Sequence, residues 1–386
     1  MKGFASILLF AGALPLCAQT PKPAPALIQR VGPSPNGTSL GVRVGDAPLV
    51  FTAQIFSGRS DGDADQQAAG ALDALSAILE KSGSDAARVV RLTAYATNEA
   101  AGGAAFRAMA ARFGATPVAF TLVRTRLPRT GAQVAFEAVS VATASAEKVA
   151  KTGLGAAVLP AGAKLFVSGQ AEKGPDLGAA VRLTMAGLQR TLAHLRLTGD
   201  DVVQVKAFVR PMSDSAVAER EISASFGGAD PPIVLVEWQS DLFAEIELVV
   251  SAHGRPPIAG DTLAFSALPW LNKSPRYSHV VEVAAGTPLI FVGELGGDEN
   301  GDARAQLKTA FERVGSALFE SGGSYRTLVK ATYYLGDAKA RALLGDIRGV
   351  YFDPMRSPAA SAIGVEAFGR TGRVFSLDVI AVPATK

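Results

Sequence analysis

The chain has 386 residues, of which 48% are hydrophobic and 19% charged, and its formal net charge is +3 with the histidines neutral. This composition is typical of a globular protein, and the length predicts two or three folding units. The small net charge and the interspersed signs argue against a nucleic-acid-binding protein.

The first 18 residues predict a cleaved secretory signal. Lys2 precedes an uncharged apolar run from Phe4 to Leu16, and a Pro-rich linker follows at 19–27. We favour cleavage after Ala18, while the alternative is a lipoprotein with Cys17 at the new N-terminus. The apolar run is shorter than the roughly 20 residues that a membrane span needs. We therefore expect a secreted or periplasmic protein without a membrane span.

The sequence predicts neither a metal site nor a cofactor. Cys17 is the only cysteine, so cleavage after Ala18 leaves no disulfide and no cysteine nucleophile. The three histidines, His194, His253 and His279, lack the HxH or HxxxH spacing of a zinc site. Glycine motifs that bind phosphates or dinucleotides are also absent from the sequence.

Three similar strand-like segments recur roughly 120 residues apart. They are VFTAQ ending at Gln54, FVSGQ ending at Gln170 and IFVGE ending at Glu294. If these three residues are equivalent, the chain from residue 28 onwards divides into three units. We place these units at residues 28–146, 147–254 and 255–386.

Each unit shows the same succession of patterns in chain order. After the first strands, an apolar periodicity of three and four residues predicts a helix. A β-rich segment follows: VVRLTAYA (89–96), VVQVKAFV (202–209) or LVKATYYL (328–335). A second helical segment comes next, and two strands close the unit, the last being VAFEAVSV (134–141), AEIELVVS (244–251) or VFSLDVIA (374–381). The order β-β-α-β-α-β-β predicts an α+β fold with two helices on one face of a sheet.

These motifs together resemble the RidA/YjgF family of enamine/imine deaminases, which also carries the older label L-PSP endoribonuclease. The resemblance rests on FVSGQ, the V-x-V-x-x-F/Y-V strand, the proline after the second helix and E-I-E, and it is closest in the middle unit. It implies three tandem units with the chorismate-mutase-like fold. It also implies that the units associate as the family's homotrimers do, here as an intrachain pseudo-trimer with ligand clefts between units. We expect such a chain to be a monomer.

The arginine that the family uses to bind the substrate carboxylate is not found at the corresponding positions. The family has it in a P-A-R-T motif, where the guanidinium matches a carboxylate with two parallel hydrogen bonds. Counted from the proline, these positions are Ala119, Val234 and Ala360. Chemistry on 2-imino acids is therefore in doubt. Arginines close to these motifs are candidate substitutes: Arg124, Arg126 and Arg356.

A carboxylate among apolar neighbours stands on the last strand of every unit, as Glu137, Glu247 and Asp378. The resemblance implies a catalytic role, in which this group helps to activate the water that attacks the imine carbon. A structural role is the alternative, because a buried carboxylate needs hydrogen bonds in any case. The sequence leaves both open.

The remaining predicted substrate-binding residues, besides Arg356, come from two motifs. Ser168, Gly169 and Gln170 match the edge of the family's cleft, where small residues let a ligand approach backbone donors. Tyr277 matches the tyrosine of the family's Y-S-x-A-V motif, which lines the cleft. A tight strand end and a core tyrosine are the structural alternatives.

Three functions remain open on this basis. The first is hydrolysis of an enamine or imine to a carbonyl compound and ammonia. The second is non-catalytic binding of a small molecule or partner in apolar clefts. The third, ribonuclease activity, is the least supported, since no basic stripe interleaved with aromatic residues is visible.

Overall fold

The computed structural model describes residues 27–385 except 60, 145 and 229. The predicted signal at 1–18, with Cys17, and the linker up to residue 26 lie outside the described residues. Within the described part of the chain, no helix has the length and apolar character needed to cross a membrane.

The described residues form 19 strands and six α-helices. The first stretch contains β1 (Ile28–Pro33), β2 (Ser39–Val44), β3 (Leu49–Thr52), β4 (Ile55–Phe56), α1 (Ala64–Lys81), β5 (Val89–Ala96), α2 (Glu99–Phe113), β6 (Ala119–Arg124) and β7 (Val134–Val141). The second contains β8 (Ala150–Lys151), β9 (Ala156–Leu159), β10 (Lys164–Gln170), α3 (Leu177–His194), β11 (Val202–Val209), α4 (Ser215–Ala224), β12 (Ile233–Glu237) and β13 (Ala244–Ser251). The third contains β14 (Leu263–Ser266), β15 (Val280–Val283), β16 (Leu289–Gly296), α5 (Ala303–Glu320), β17 (Leu328–Leu335), α6 (Ala338–Tyr351), β18 (Ala359–Gly364) and β19 (Phe375–Ala381).

The element types predicted from the sequence are confirmed. The β-rich segments form β5, β11 and β17 with the predicted bounds, and the last strands form β7, β13 and β19. The first helix of each stretch begins at an aspartate, Asp63, Asp176 or Asp302. Its side chain accepts a hydrogen bond from the backbone N–H three residues later, which satisfies one of the free donors at the helix start. The chain is therefore an α+β protein with several sheets.

The strands form three sheets, and each sheet takes strands from two stretches of the chain. The first sheet has the order β6-β5-β7-β3-β9-β8, with β4 beside β7. The second has the order β12-β11-β13-β10-β15-β14, and the third β18-β17-β19-β16-β2-β1. The first sheet is thus completed by β8 and β9 from the second stretch, and the second sheet by β14 and β15 from the third stretch. The third sheet is completed by the N-terminal hairpin β1–β2. This exchange links the three sheets in a cycle.

Two inner cores, each with side chains from all three sheets, and separate outer cores hold this arrangement together. The larger inner core includes Phe51, Phe166 and Phe291, which are at most 2% exposed, and the smaller one includes Trp238. On the opposite face of each sheet, two helices cover an outer core, such as α1 and α2 packing against Phe136 of β7. The contacts between sheets therefore run through the centre, and the helices lie outside.

A close backbone contact joins the third sheet to the first at Gly293. A Cβ atom at this position would lie 2.3 Å from the carbonyl oxygen of Phe120 and 2.5 Å from its backbone nitrogen. Only a residue without a side chain allows β16 and β6 to approach this closely. The sequence segment IFVGE thus carries a glycine for a packing reason.

We expect Gly293→Ala to lower the free energy of unfolding by roughly 1–3 kcal/mol, because the new methyl group must displace the β6 backbone. Gly349→Ala is the matched control, since it lies in α6 with no atom within 4 Å of the added Cβ. That change should be neutral or stabilising by up to about 1 kcal/mol. Urea unfolding of both variants checks this, and equal effects would contradict the close contact.

Candidate functional site

The three predicted catalytic carboxylates occupy one equivalent position in the three sheets. Glu137, Glu247 and Asp378 each lie opposite the fifth residue of the neighbouring antiparallel strand, in β5, β11 and β17 respectively. Their exposed fractions are only 1–4%. The sequence alignment of these three residues therefore corresponds to a real structural equivalence.

A basic side chain from a different sheet binds each carboxylate. The pairs are Lys206 Nζ with Glu137 (2.8 Å), Lys330 Nζ with Glu247 (2.8 Å) and Arg91 Nη2 with Asp378 (2.8 Å). Because the partner comes from the second, third and first sheet in turn, the ion pairs also form a cycle. Each carboxylate also accepts a hydrogen bond from a hydroxyl group: Glu137 from Tyr95, Glu247 from Ser361 and Asp378 from Tyr334.

These contacts disfavour proton uptake at Glu137. Burial alone would raise the pKa of its carboxyl group, but the positive charges of Lys206 and Arg91 and the hydrogen bonds lower the pKa below its ordinary value. Gln204 donates a further hydrogen bond to Oε1 (3.0 Å). A carboxylate with a lowered pKa and fully engaged oxygens is a weak base for water near neutral pH.

The strand register corrects the alignment of the three opening segments. Phe51, Phe166 and Phe291 lie opposite equivalent residues, two positions after the ion-paired carboxylate of each sheet. Counting from these phenylalanines makes Gln54 and Glu294 equivalent to Gly169. The prediction that Gln170 matches them is wrong by one residue, because Gln170 stands four residues after its phenylalanine, whereas Gln54 and Glu294 stand three residues after theirs.

This one-residue difference changes the face on which Gln170 lies. Gln170 is equivalent to Ile55 and Leu295, and its amide donates a hydrogen bond to Thr191 of α3 (3.0 Å). Successive residues of a strand point to opposite faces, so a shift of one residue exchanges the two faces. Gln170 therefore lies on the helix side and not in a cleft.

A carboxyl or amide side chain reaches a strand of the next sheet at two junctions. Between the first and second sheets, Gln54 Oε1 accepts a hydrogen bond from the backbone N–H of Leu235 (3.2 Å). Between the third and first sheets, Glu294 Oε2 accepts one from the N–H of Leu122 (3.1 Å). We call these regions the 1/2 junction and the 3/1 junction.

At the 2/3 junction, between the second and third sheets, a different sequence position fills the same space. Gly169 has no side chain there, and Glu245 of the neighbouring strand occupies the volume, since a Cβ at Gly169 would lie 2.0 Å from Glu245 Oε1. The residues equivalent to Glu245 in the other sheets are the small Ala135 and Ser376. Each junction thus holds one carboxyl or amide group, supplied from either of two strands.

The sequence patterns did not identify Glu245 as a site residue, although its raised pKa distinguishes it from an ordinary glutamate. Burial, together with the nearby charge of Glu247, raises the pKa of Glu245 to about 7, although the positive charge of Lys330 opposes the shift. The available signal was the spacing in E-I-E, because residues two apart share a face of a strand. A pKa of about 7 suits Glu245 to proton transfer near neutral pH.

Three of the predicted substrate-binding residues come together at the 2/3 junction. Ser168 Oγ donates to the carbonyl of Ser278 (2.6 Å) and accepts from the N–H of Ala360 (2.8 Å). Gly169 lies against Glu245. The half-buried Tyr277 has a raised pKa, caused by burial and by the charge of Glu245. Ser168, Gly169 and Tyr277 are therefore neighbours of one titratable group.

Arg356 is engaged elsewhere. Its Nη1 lies 2.5 Å from Asp261 Oδ2, its Nε donates to the carbonyl of Arg326 (2.9 Å), and its guanidinium lies 5.0 Å from the ring centroid of Phe265. The structure therefore places this predicted ligand-binding arginine in an ion pair that joins the segment before β14 to the segment before β18.

The register also corrects two of the three motif positions counted from the proline. The residues opposite the fourth position of β5, β11 and β17 are Phe120, Ile233 and Ala360. The predicted equivalents Ala119 and Val234 are each one residue away from this position and face core clusters instead. Counting from the proline fails because the number of residues between the proline and this strand position differs among the three stretches. Phe120 and Ile233 line cavities, as described next.

Two junctions open into cavities of different size. The cavity at the 3/1 junction has a volume of about 1000 Å³, and its wall includes Phe106, Phe120, Leu122, Glu294 and Arg373. The cavity at the 1/2 junction is smaller, about 450 Å³, and includes Gln54, Ile233 and Leu235 in its wall. The 3/1 cavity has the size and the mixture of apolar and convergent polar groups typical of small-molecule sites.

Glu294 is the buried acid of the 3/1 cavity. Burial raises the pKa of its carboxyl group, while Arg373 Nη1 at 3.2 Å and the N–H of Leu122 act in the opposite direction. Arg373 in turn binds Glu299 at 2.7 Å, so its charge is shared between two carboxylates. The site therefore combines a proton-binding group with an apolar wall.

Comparison with known proteins gives the following matches. The sequence model described as Endoribonuclease L-PSP matches residues 271–382. A RutC family protein from Synechocystis sp. is 32% identical over 85 residues, which is 22% of this chain and 65% of that protein, slightly under two-thirds of its length. Protein DfrA from Myxococcus xanthus is 30% identical over 112 residues, which is 28% of this chain and 84% of that protein.

Two solved structures that resemble the chain each cover about a third of it. A YjgF family member from Neisseria meningitidis is 22% identical and covers 32% of this chain and 97% of its own, with a TM-score of 0.25. A member of the YjgF/YER057c/UK114 family from Mycobacterium tuberculosis is 22% identical and covers 31% and 98%, with a TM-score of 0.23.

For the ion-pair cycle, we expect Lys330→Met to destabilise the protein by about 3–5 kcal/mol, because Glu247 is left buried without its cation. The double variant Lys330→Met/Glu247→Leu removes both charges and should recover a large part of this loss. Chemical denaturation of the wild type and both variants measures the difference. A single variant as stable as the wild type would refute the buried pair.

For Glu245, we expect stability to depend on its proton. The folded-state pKa of about 7 exceeds the ordinary value of 4.5, so the folded state binds the proton more tightly than the unfolded state. This stabilisation is complete below about pH 4.5 and is lost as the pH rises through about 7. Between these two pH values, the free energy of unfolding of the wild type should fall as the pH rises. Glu245→Gln should make this slope shallower by up to about 1 kcal/mol per pH unit.

Exposed Glu320 at the end of α5 provides the control for this measurement, since Glu320→Gln removes a carboxylate that lies in solvent. Urea unfolding from pH 5 to 8 should give the same pH dependence for Glu320→Gln as for the wild type. An equally steep dependence in Glu245→Gln would show that another group binds the proton.

Proposed function

The chain belongs to the RidA/YjgF family, and on that premise we propose that it hydrolyses an enamine or imine in the cavity at the 3/1 junction. The observation that carries the proposal is the position of Glu294, a buried carboxyl group with a raised pKa in the wall of a cavity of about 1000 Å³. A carboxyl group with a raised pKa holds its proton more tightly than an ordinary glutamate and can donate it to a bound substrate.

We also propose that the three repeated stretches form an intrachain pseudo-trimer, so that the chain acts as a monomer. The cyclic strand exchange and the cyclic ion pairs support this, because each of the three sheets has the same relation to the next. Export belongs to the same proposal and rests on the predicted signal at residues 1–18.

The proposed reaction adds water across the C=N bond. Protonated Glu294 gives its proton to the imine nitrogen, and water attacks the carbon of the resulting iminium. The carboxylate takes up the proton that the attacking water loses, and passes it to the nitrogen. The C–N bond then breaks and ammonia leaves, while the carboxylate takes up the hydroxyl proton. This regenerates protonated Glu294, and one imine and one water yield one carbonyl compound and one ammonia. Each step needs only one titratable group beside the substrate.

The substrate is proposed to lack an α-carboxylate. In the strand register, the positions facing the 3/1 and 1/2 cavities are Phe120 and Ile233, and Ala360 is their equivalent. None of these apolar side chains can bind a carboxylate. Arg373 is also committed, because it lies within 3.2 Å of both Glu294 and Glu299.

For Glu137, Glu247 and Asp378 we propose a structural role in place of the catalytic one. Their ion pairs join different sheets, and the lowered pKa of Glu137 makes it a weak base. The proton transfer predicted for these residues is instead assigned to Glu294. Glu245 at the 2/3 junction is the chemically closest alternative, since its pKa is about 7.

Non-catalytic binding is a second candidate function, and one observation favours it. Both oxygens of Glu294 already have partners, since Oε1 lies 3.2 Å from Arg373 and Oε2 accepts from the N–H of Leu122. A carboxylate held in this way can recognise a ligand without transferring a proton. The two functions differ in turnover, which an assay measures directly.

We expect the purified protein to release ammonia from imines generated in situ that carry no α-carboxylate. Glu294→Gln should lower the rate by about 100-fold or more, because a general acid–base group contributes that much. Glu245→Gln, at the other titratable junction, should keep most of the activity. Continuous ammonia detection on the wild type and both variants provides the measurement.

The reverse ranking, with activity lost in Glu245→Gln and kept in Glu294→Gln, would place the reaction at the 2/3 junction and overturn the assignment. A wild type without any rate above background, but with measurable ligand binding, would support the non-catalytic function.

A further inference from the structure

The 3/1 cavity has an aromatic wall built from two elements. The rings of Phe106 in α2 and Phe120 in β6 lie with their centroids 6.0 Å apart at an angle of 67°, an edge-to-face arrangement. Phe106 is 37% exposed, although it belongs to a well-packed helix. Two glycines, Gly102 and Gly103, also line the cavity, so that α2 presents only backbone beside this ring.

An exposed phenylalanine beside a cavity leaves a ring face without a packing partner. Aromatic rings prefer offset-stacked or edge-to-face neighbours with centroids 4.5–7 Å apart, and such a pair adds about 0.5–1.5 kcal/mol to apolar burial. The corner between Phe106 and Phe120 is therefore suited to a planar ring. An aliphatic chain would gain the burial but not the ring contact.

The charges around the cavity favour a cation over an anion. The three arginines of the wall are each paired with a carboxylate: Arg107 with Asp65 (2.7 Å), Arg370 with Glu299 (3.7 Å), and Arg373 with Glu294 (3.2 Å) and Glu299 (2.7 Å). Glu99, at the start of α2, adds a carboxylate to the same wall. Glu99 takes part in none of these pairs, so that a cationic ligand meets a carboxylate in the wall whether or not Glu294 carries its proton.

We propose that the ligand of the 3/1 cavity is a basic amine that carries a planar aromatic ring, or the imine formed from it, with its ring in the corner between Phe106 and Phe120 and its nitrogen towards Glu294. This rests on the proposed function only for the choice of cavity. It adds the chemical class: an aromatic ring and a basic nitrogen, without an acidic group.

Binding of three probes tests this proposal by isothermal titration calorimetry. Tryptamine has the ring and the cation, n-hexylamine has only the cation, and indole-3-acetate has the ring with a negative charge. We expect tryptamine to bind about tenfold or more tightly than n-hexylamine, and indole-3-acetate to bind weakest, because its charge meets Glu294 and Glu99.

Phe106→Leu isolates the contribution of the ring, since it keeps an apolar side chain at a partly exposed position where folding is little affected. It should weaken tryptamine by about five- to tenfold, in line with the strength of one aromatic pair, and leave n-hexylamine nearly unchanged. Phe319→Ala is the matched control, because Phe319 in α5 is 82% exposed and is not part of the cavity wall.

Equal affinities for tryptamine and n-hexylamine, tight binding of indole-3-acetate, or an unchanged affinity of Phe106→Leu for tryptamine would each overturn the proposal. The outcome is independent of turnover. Hydrolysis of aliphatic but not aromatic imines would refute the ligand class and keep the proposed reaction. Selective binding of tryptamine without ammonia release would support the ligand class and refute the proposed reaction.

Discussion

The structure depends on the exchange of strands between sheets. No sheet is completed by its own stretch of chain: β8–β9 complete the first, β14–β15 the second, and the N-terminal β1–β2 the third. A strand that left its neighbour would expose a row of unpaired backbone groups, which is costly in a buried sheet. Arg91, Lys206 and Lys330 form buried ion pairs with carboxylates of other sheets, and these pairs also hold the sheets together.

The exchange also creates the sites, because each junction brings a strand end of one sheet against a strand of the next. The three junctions share one architecture, yet they hold Gln54, Glu245 and Glu294 and differ in open volume. In a homotrimer one substitution would change all three sites together, whereas a single chain can change each separately. A neutral amide, a carboxyl with a pKa of about 7 and a carboxyl beside a large cavity are three different chemical environments.

The sequence predicted the helices and strands in detail because the periodicity of apolar residues is a local property. The helices, the β-rich segments and the equivalence of Glu137, Glu247 and Asp378 follow from spacing alone. The sites were harder to predict, because a shift of one residue exchanges the faces of a strand. Gln170 matched Gln54 by letter but not by register, and Ala119 stood where Phe120 belongs. Glu245 fills the place of an absent side chain at Gly169, and only the contact between strands reveals this.

The central claim, that strand exchange makes the three stretches one folding unit, is tested most directly by comparing two probes of unfolding. Trp238 lies in an inner core shared by all three sheets and Trp270 packs against the outer core of the second sheet, whereas far-ultraviolet circular dichroism reports on all helices and sheets. We expect urea to give one transition with the same midpoint for both probes, since no sheet can persist after its neighbour is lost. A circular dichroism signal that falls in separate steps, only one of which coincides with the tryptophan fluorescence, would contradict it.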